Sequence, residues 1–458
     1  MAKKTESMVT DLTTGNVTKL LLSFAFPLFV SNALQAVYNL VDMIVVGQYI
    51  GGSGMSAVSI GGDILHLLTF VAMGFSSAGQ VIIARDVGAG KEEDVKHTIG
   101  TMFSFLLAVS LAISVLCYAI REPILRWLNT PAESYAYTMD YTVTCIAGLF
   151  FIYGYNIVSA ILRGMGDSRR PFVFVAIAAV LNTVLDVVFV HFLGMEVFGA
   201  ALATVIGQGA SFVFSVVYLY RRRESFGFDF RPASFRIDGP ALRRLVSLGV
   251  PMAIQSAAVN FSKIVLMAWI NLYGVTFSAL AGIYNKINTM AGIVSNSFTT
   301  AGASMVGQNL GAGKDERVPK ILRTVLWVSI AITVPASLAM LFCSEPIFAA
   351  FTGDASVLAV ASILIFPIIL NFFGSASRSV AFSVINGSGN TRLNLAVALI
   401  DGMISRMGIA ALLGFALGME CLGFWYGDAI AGFVPILIGM TFYLSGRWRT
   451  GHKKAEKT

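Results

Sequence analysis

The sequence predicts an all-α membrane protein: twelve transmembrane helices in two pseudo-symmetric six-helix lobes around a central cavity. Three observations carry this prediction. Hydrophobic residues make up 56% of the chain and charged residues only 12%, whereas a soluble domain carries roughly 25% charge. Most apolar stretches exceed the roughly 18–20 residues that cross a bilayer. The chain also repeats itself at about half its length of 458 residues.

The spans follow in order. The first sixteen residues are polar and lead directly into span one, 17–47. No short apolar core with a small-residue cleavage site is visible there, so no removable signal peptide is expected. Spans two to six are expected at 54–83, 97–120, 134–162, 170–193 and 195–220. Spans seven to twelve are expected at 241–271, 276–308, 319–343, 354–386, 392–417 and 420–446. Helices are the default, because backbone facing lipid must satisfy its own hydrogen bonds. The domains read as an N-terminal lobe at 1–220, a linker at 221–240, a C-terminal lobe at 241–446 and a basic tail at 447–458. Cys117, Cys145, Cys343 and Cys421 all fall in or beside apolar spans and read as small buried hydrophobes. His66, His97, His191 and His452 form no cluster in the sequence.

The formal net charge is +7, but its distribution points to a membrane and not to nucleic acid. With the N-terminus placed in the cytoplasm, 26 of the 32 Lys and Arg fall in both tails and the alternate loops. The opposite side holds two, Arg121 and Arg126. This asymmetry predicts an even number of spans with both termini cytoplasmic in the plasma membrane. The densest charged break, from Arg221 to Arg244, reads as a solvated linker between the halves.

The repeat is specific. Gly88-Ala89-Gly90-Lys91 recurs as Gly311-Ala312-Gly313-Lys314, an offset of 223. Glu122-Pro123 recurs as Glu345-Pro346, and Gly164-x-Gly166-x-x-Arg169 as Gly387-x-Gly389-x-x-Arg392. Ser23-x-x-x-Pro27 matches Ser247-x-x-x-Pro251 with the offset slipped by one. Duplicated halves of this kind commonly build membrane transporters. The glycine–lysine turns are not phosphate-binding loops. Arg85 and Gln308 stand where that motif needs its first glycine, and Glu92 and Asp315 follow the lysines. They read as tight turns, and ATP-driven transport has no support in the sequence.

Ionisable groups inside spans are costly and are functional candidates by default. The first half offers Asp42, Asp63 and Asp186. Asn182 and Asp186 sit at i and i+4, on one face of span five. Ala200 and Thr204 share that spacing in span six. Asp186 lies about 24 Å along its helix from Arg170, and Asp42 about 35 Å from Lys19. The second length suggests a tilt, or a bend near Pro27. Carboxylate, amide, hydroxyl and backbone carbonyl oxygens suit a hard cation such as Na⁺, and a desolvated carboxylate can also carry a proton. The same polar groups can instead hold helices together through hydrogen bonds.

Leu181-Asn182-x-x-Leu185-Asp186, the paired turns at Gly88 and Gly311, the Gly164-Met165-Gly166-Asp167 segment and Asp42 resemble the multidrug and toxic compound extrusion (MATE) family over nearly the whole chain. Their pattern is similar to the DinF-like bacterial branch. The resemblance implies twelve spans in two lobes and a cation site in the first lobe. Its residues would be Asp42, Asn182, Asp186, Thr204 and the carbonyl of Ala200, with Tyr141 matching a fourth-span tyrosine. Na⁺ would bind at Asp42, Asn182, Asp186 and Thr204. The chain departs from another branch, which carries acidic residues on spans seven and ten. Here those spans offer Val259, Asn260 and Lys263, and Ser375 and Arg378. No acidic cation site is therefore expected in the second lobe, where Asp401 is read as the one clear mid-span acid.

The resemblance implies a secondary efflux transporter, an antiporter exporting small amphipathic organic substrates in exchange for H⁺ or Na⁺. It would act as a monomer by rocking its lobes, with Pro27 as a hinge and no cofactor. A lipid-linked oligosaccharide flippase of the same superfamily is the alternative, since a pyrophosphate would suit the basic second lobe. An enzyme is not expected, because no nucleophile, base or metal ligands cluster at span depth. Lys263, Lys286, Arg378, Arg406 and Asp401 are candidates for the substrate cavity. Arg406 stands five residues from Asp401, a poor α-helical spacing but one a long side chain can reach, so the two can neutralise each other. A lysine out of water can also lose its proton. Asp63 and Lys286 fall at the same position of the two halves, and their opposite charges suggest an inter-lobe ion pair that closes one face. Most of the 34 Phe are expected to face lipid or the helix core.

Overall fold

The computed structural model describes residues 10–449. Lys3, Lys4 and residues 450–458 of the expected basic tail lie outside the described residues. Twelve long helical segments follow one another. α1 is Val17–Ile50, α2 Gly52–Gly88, α3 Glu92–Ala119, α4 Tyr135–Gly164, α5 Arg169–Asp186 and α6 Glu196–Arg221. In the second half, α7 is Gly239–Asn271, α8 Val275–Gly311, α9 Val318–Phe342 and α10 Ile365–Gly387. α11 starts at Thr391 and α12 runs Glu420–Ala431, resuming as Val434–Leu444. Eleven of these segments are long and apolar enough to cross a membrane; α8 has the length but a more polar surface.

Two helices depart from regular α geometry near the candidate residues. α5 runs into a π-helical turn, Val187–Phe192, immediately after Asp186. α11 contains two such turns, Ile400–Ser405 and Leu412–Ala416, around the short α-helical piece Arg406–Ala411. Each π turn holds an extra residue within the helix.

The glycine–lysine sequences are tight turns. Gly90 and Gly313 have φ of +68° and +69°. In this left-handed region only a residue without Cβ is at ease. The turns close through Lys91 N donating to Asp86 O at 2.9 Å and Lys314 N to Asn309 O at 2.8 Å.

The described chain forms two compact units. The first comprises residues up to Asp11 and Phe26–Val250; the second comprises Leu12–Ala25 and the residues from Pro251 onward. α1 and α7 therefore each change unit beside an internal proline, Pro27 and Pro251. A proline inside a helix removes one i→i−4 hydrogen bond and weakens the rod there.

Within the first unit, the segment before α7 packs on α2 and α3. Asp238 N donates to Thr101 Oγ1 at 3.0 Å, and Arg244 pairs with Asp86 at 3.1 Å. Within the second unit, the segment before α1 packs on the end of α8. Leu12 N donates to Gln308 Oε1 at 3.0 Å, and Asn309 Nδ2 donates to Leu12 O at 3.1 Å. Lys314 Nζ donates to Thr13 O and Oγ1 at 3.2 and 2.9 Å. The lysine of the second turn is thus a clamp on the start of the chain. Cys117, Cys145 and Cys421 are buried as expected, but Cys343 is exposed because it caps the end of α9.

Candidate functional site

In the first unit α1, α4, α5 and α6 bring six of the sequence-selected residues together. Asn182 and Asp186 lie one turn apart on α5, and Asn182 Nδ2 donates to Asp186 Oδ1 at 3.5 Å. The same amide donates to Thr204 Oγ1 on α6 at 3.4 Å, and Thr204 Oγ1 donates to Ala200 O at 3.2 Å. α6 approaches α5 this closely because position 207 is glycine: a Cβ there would fall 3.0 Å from Ala178 O and 3.3 Å from Asn182 Cβ. Tyr141 on α4 interacts with Asp42 on α1 and with Thr204. Asp42 and Asp186 are near enough for each to feel the other's charge.

This cluster is largely buried, with Thr204 half-buried. Asp42, Asn182, Asp186 and Tyr141 are all under 5% exposed. Val46, Ala57, Val58, Cys145, Val197 and Ala201 pack around it. Asp42 Oδ1, Asn182 Oδ1 and Asp186 Oδ2 are buried without a hydrogen-bond partner among the described residues. An acceptor oxygen left unsatisfied in an apolar surrounding is costly. Three such oxygens in one cluster fit a donor set that takes up a proton or a small hard cation. Pro27 lies in α1 about four turns before Asp42.

Asp63 on α2 and Lys286 on α8 are exposed, and neither has an ion-pair partner within its own unit among the described residues.

The second unit holds a buried ionic network. Arg378 Nη2 donates to Asp401 Oδ1 at 3.0 Å, and Arg406 Nη2 lies 3.6 Å from the same oxygen. Arg406 Nη1 donates to Asp428 Oδ1. The second oxygen of Asp428 lies 3.0 Å from the Tyr284 hydroxyl and accepts from Asn371 Nδ2 at 3.3 Å. One sequence expectation changes here: Asp401 is not the one mid-span acid, since Asp428 on α12 is also buried. The expected reach of Arg406 to Asp401 is present, and the π turn at Ile400–Ser405 helps it by bringing residues i and i+5 nearer to one face. Asp428 carried a readable signal: it stands 224 residues after Thr204, the slipped offset already seen between Pro27 and Pro251.

Comparison with known proteins agrees with this architecture. The MatE family model matches twice, at residues 27–188 and 251–412. The probable multidrug resistance protein YpnP of Bacillus subtilis (strain 168) is 28% identical, with 98% of this chain and 99% of that protein covered. The probable multidrug resistance protein YoeA of the same organism is 26% identical, with 92% of each covered. Among solved structures, one described as MATE in the bent conformation superposes with a TM-score of 0.88 at 20% identity, covering 99% of this chain and 100% of that one. With the family model covering both repeats, the chain belongs to the MatE family.

Proposed function

We propose that this chain is a cation-coupled antiporter that exports small organic substrates across the plasma membrane. The coupling cation, H⁺ or Na⁺, binds in the first unit at Asp42, Asn182, Asp186, Thr204 and the Ala200 carbonyl, with Tyr141 alongside. The observation that carries this reading is the set of three buried, unsatisfied acceptor oxygens on Asp42, Asn182 and Asp186. The names of its relatives and the absence of a phosphate-binding loop in its sequence support efflux by secondary transport. The Lys and Arg asymmetry supports cytoplasmic termini, and the residues of the site support the DinF-like branch.

Taking up a cation removes the cost of the unsatisfied oxygens and draws the Asp42 face of α1 towards α5 and α6. Pro27 lets α1 bend as this happens. The gain in the cation-bound state biases alternating access, because a ligand shifts a conformational equilibrium only by its differential affinity. The two units work as a monomer by rocking.

Asp186→Asn tests the reading. Efflux from proteoliposomes under an imposed Na⁺ or pH gradient should be lost while insertion and elution as a folded monomer persist. Normal gradient-driven efflux in that variant would refute the site.

A further inference from the structure

Besides the ionic network, the second unit contains a small cavity of about 20 Å³. Lys263, Ala281, Tyr284, Asn285, Trp425 and Asp428 are among its lining residues. One water-sized guest needs roughly 10–15 Å³, so the space takes one small occupant.

The charges around it do not balance. Asp401 is held by Arg378 and Arg406, and Asp428 by Arg406. Both Asp428 oxygens are engaged, one by Arg406 and the other by Tyr284 and Asn371. Asp401 has one unsatisfied oxygen but does not line the cavity. Lys263 has no carboxylate oxygen within 4.0 Å among the described residues. Three cationic side chains thus face two carboxylates whenever Lys263 is protonated, and the surplus positive charge then sits at Lys263. A second observation is independent of charge: Trp425 is 1% exposed and its indole N–H has no acceptor among the described residues. Indole can only donate. Lys263 and Trp425 therefore bring to the lining donors that no hydrogen-bond acceptor among the described residues takes up.

The repeat gives the cavity a meaning. Asp42 of the first unit corresponds to Leu266, and Thr204 to Asp428, at an offset of 224. Gly61 corresponds to Tyr284 at 223. Leu266 and Tyr284 also line the cavity. It is the second unit's counterpart of the cation site, with the carboxylate of Asp42 replaced by an alkyl chain and an ammonium introduced one turn earlier.

We propose that this cavity is a monoanion site, seating a halide or a single carboxylate oxygen against Lys263 and Trp425. The anion neutralises the surplus charge in a half-buried setting, where water screens it less than in bulk. This inference does not depend on which cation couples transport.

The test uses purified full-length protein. Crystals grown in bromide should give an anomalous peak in contact with Lys263 Nζ. In detergent, chloride should raise the unfolding temperature saturably over gluconate at equal ionic strength. Lys263→Arg should keep that response, whereas Lys263→Gln and Trp425→Phe should weaken the half-maximal concentration at least about tenfold. Displacement of bromide by acetate or benzoate would assign the site to a solute carboxylate and still uphold it. If Lys263→Gln fails to fold, the native bromide peak decides. No peak at Lys263, or an identical chloride response in native protein and Lys263→Gln, would overturn the proposal.

Discussion

Arg406 and Asp428, 22 residues apart on α11 and α12, are joined where the first unit joins Asn182 to Thr204. Both pairs match at an offset of 224. An amide–hydroxyl contact in one half is a guanidinium–carboxylate pair in the other. Removing Asp428 leaves the buried Arg406 with only its longer contact to Asp401, which Arg378 shares. Asp428→Asn should therefore destabilise the protein by about 3–5 kcal/mol. The double variant Arg406→Asn with Asp428→Thr rebuilds the first unit's contact and should recover most of that loss. Unfolding in detergent across a double-mutant cycle measures the coupling; strictly additive losses would contradict it.

The neutral ligands separate the two candidate cations. A metal ion at the proposed site would use the hydroxyl of Thr204, whereas a proton needs only a carboxylate. Thr204→Val should lower Na⁺-driven efflux about tenfold or more, the loss of roughly one ligand contact of about 1.4 kcal/mol. It should leave H⁺-driven efflux near normal. Equal loss under both gradients would mean that Thr204 only holds α5 to α6.

Tyr141 lies directly over Gly61. A Cβ at Gly61 would sit 2.4 Å from Tyr141 Cδ1, too close for the ring to stay. Gly61→Ala should cost about 1–3 kcal/mol through overpacking. Because the displaced ring also serves Asp42 and Thr204, efflux should fall as well. Gly62→Ala, where nothing lies within 4 Å, is the control and should be near silent. A silent Gly61→Ala would show that Tyr141 is not held by this contact.

Lys314 holds the chain's start through two bonds to Thr13. Lys314→Met should leave α8 intact while hydrogen exchange at Leu12 and Thr13 rises several-fold. Unchanged exchange would place the tether in Gln308 and Asn309 instead.

The twelve helices and the faces carrying Asn182, Asp186, Ala200 and Thr204 were legible because they rest on local patterns, whereas Asp42 and Tyr141 joined them only through the family resemblance. Long apolar runs mark the helices, and the i, i+4 spacings of Asn182 with Asp186 and Ala200 with Thr204 mark a shared face. α8 was read as a span from its long apolar run, although it falls short of the apolar character that marks the other eleven. Asp428 was overlooked because its meaning depends on Arg406, and that pairing is formed by folding α11 against α12. The pairing of Asp401 with Arg406 was legible only as the reach of a long side chain, since an α-helical spacing of five predicts poor alignment. Only the backbone reveals the π turn that corrects it. The exposure of Cys343 likewise depends on where α9 ends.

That turn at Ile400–Ser405 has a wider consequence. Gly164 and Arg169 find their counterparts 223 residues on, but Glu196 and Glu420, both at φ +51°, are 224 apart. One added residue, absorbed in a widened coil, turns everything after it by about 100° around the helix axis. Such a twist re-aims a whole row of side chains while the helix keeps its path and its loops keep their shape. A duplicated gene product can thereby present new chemistry to an old position without rebuilding its frame.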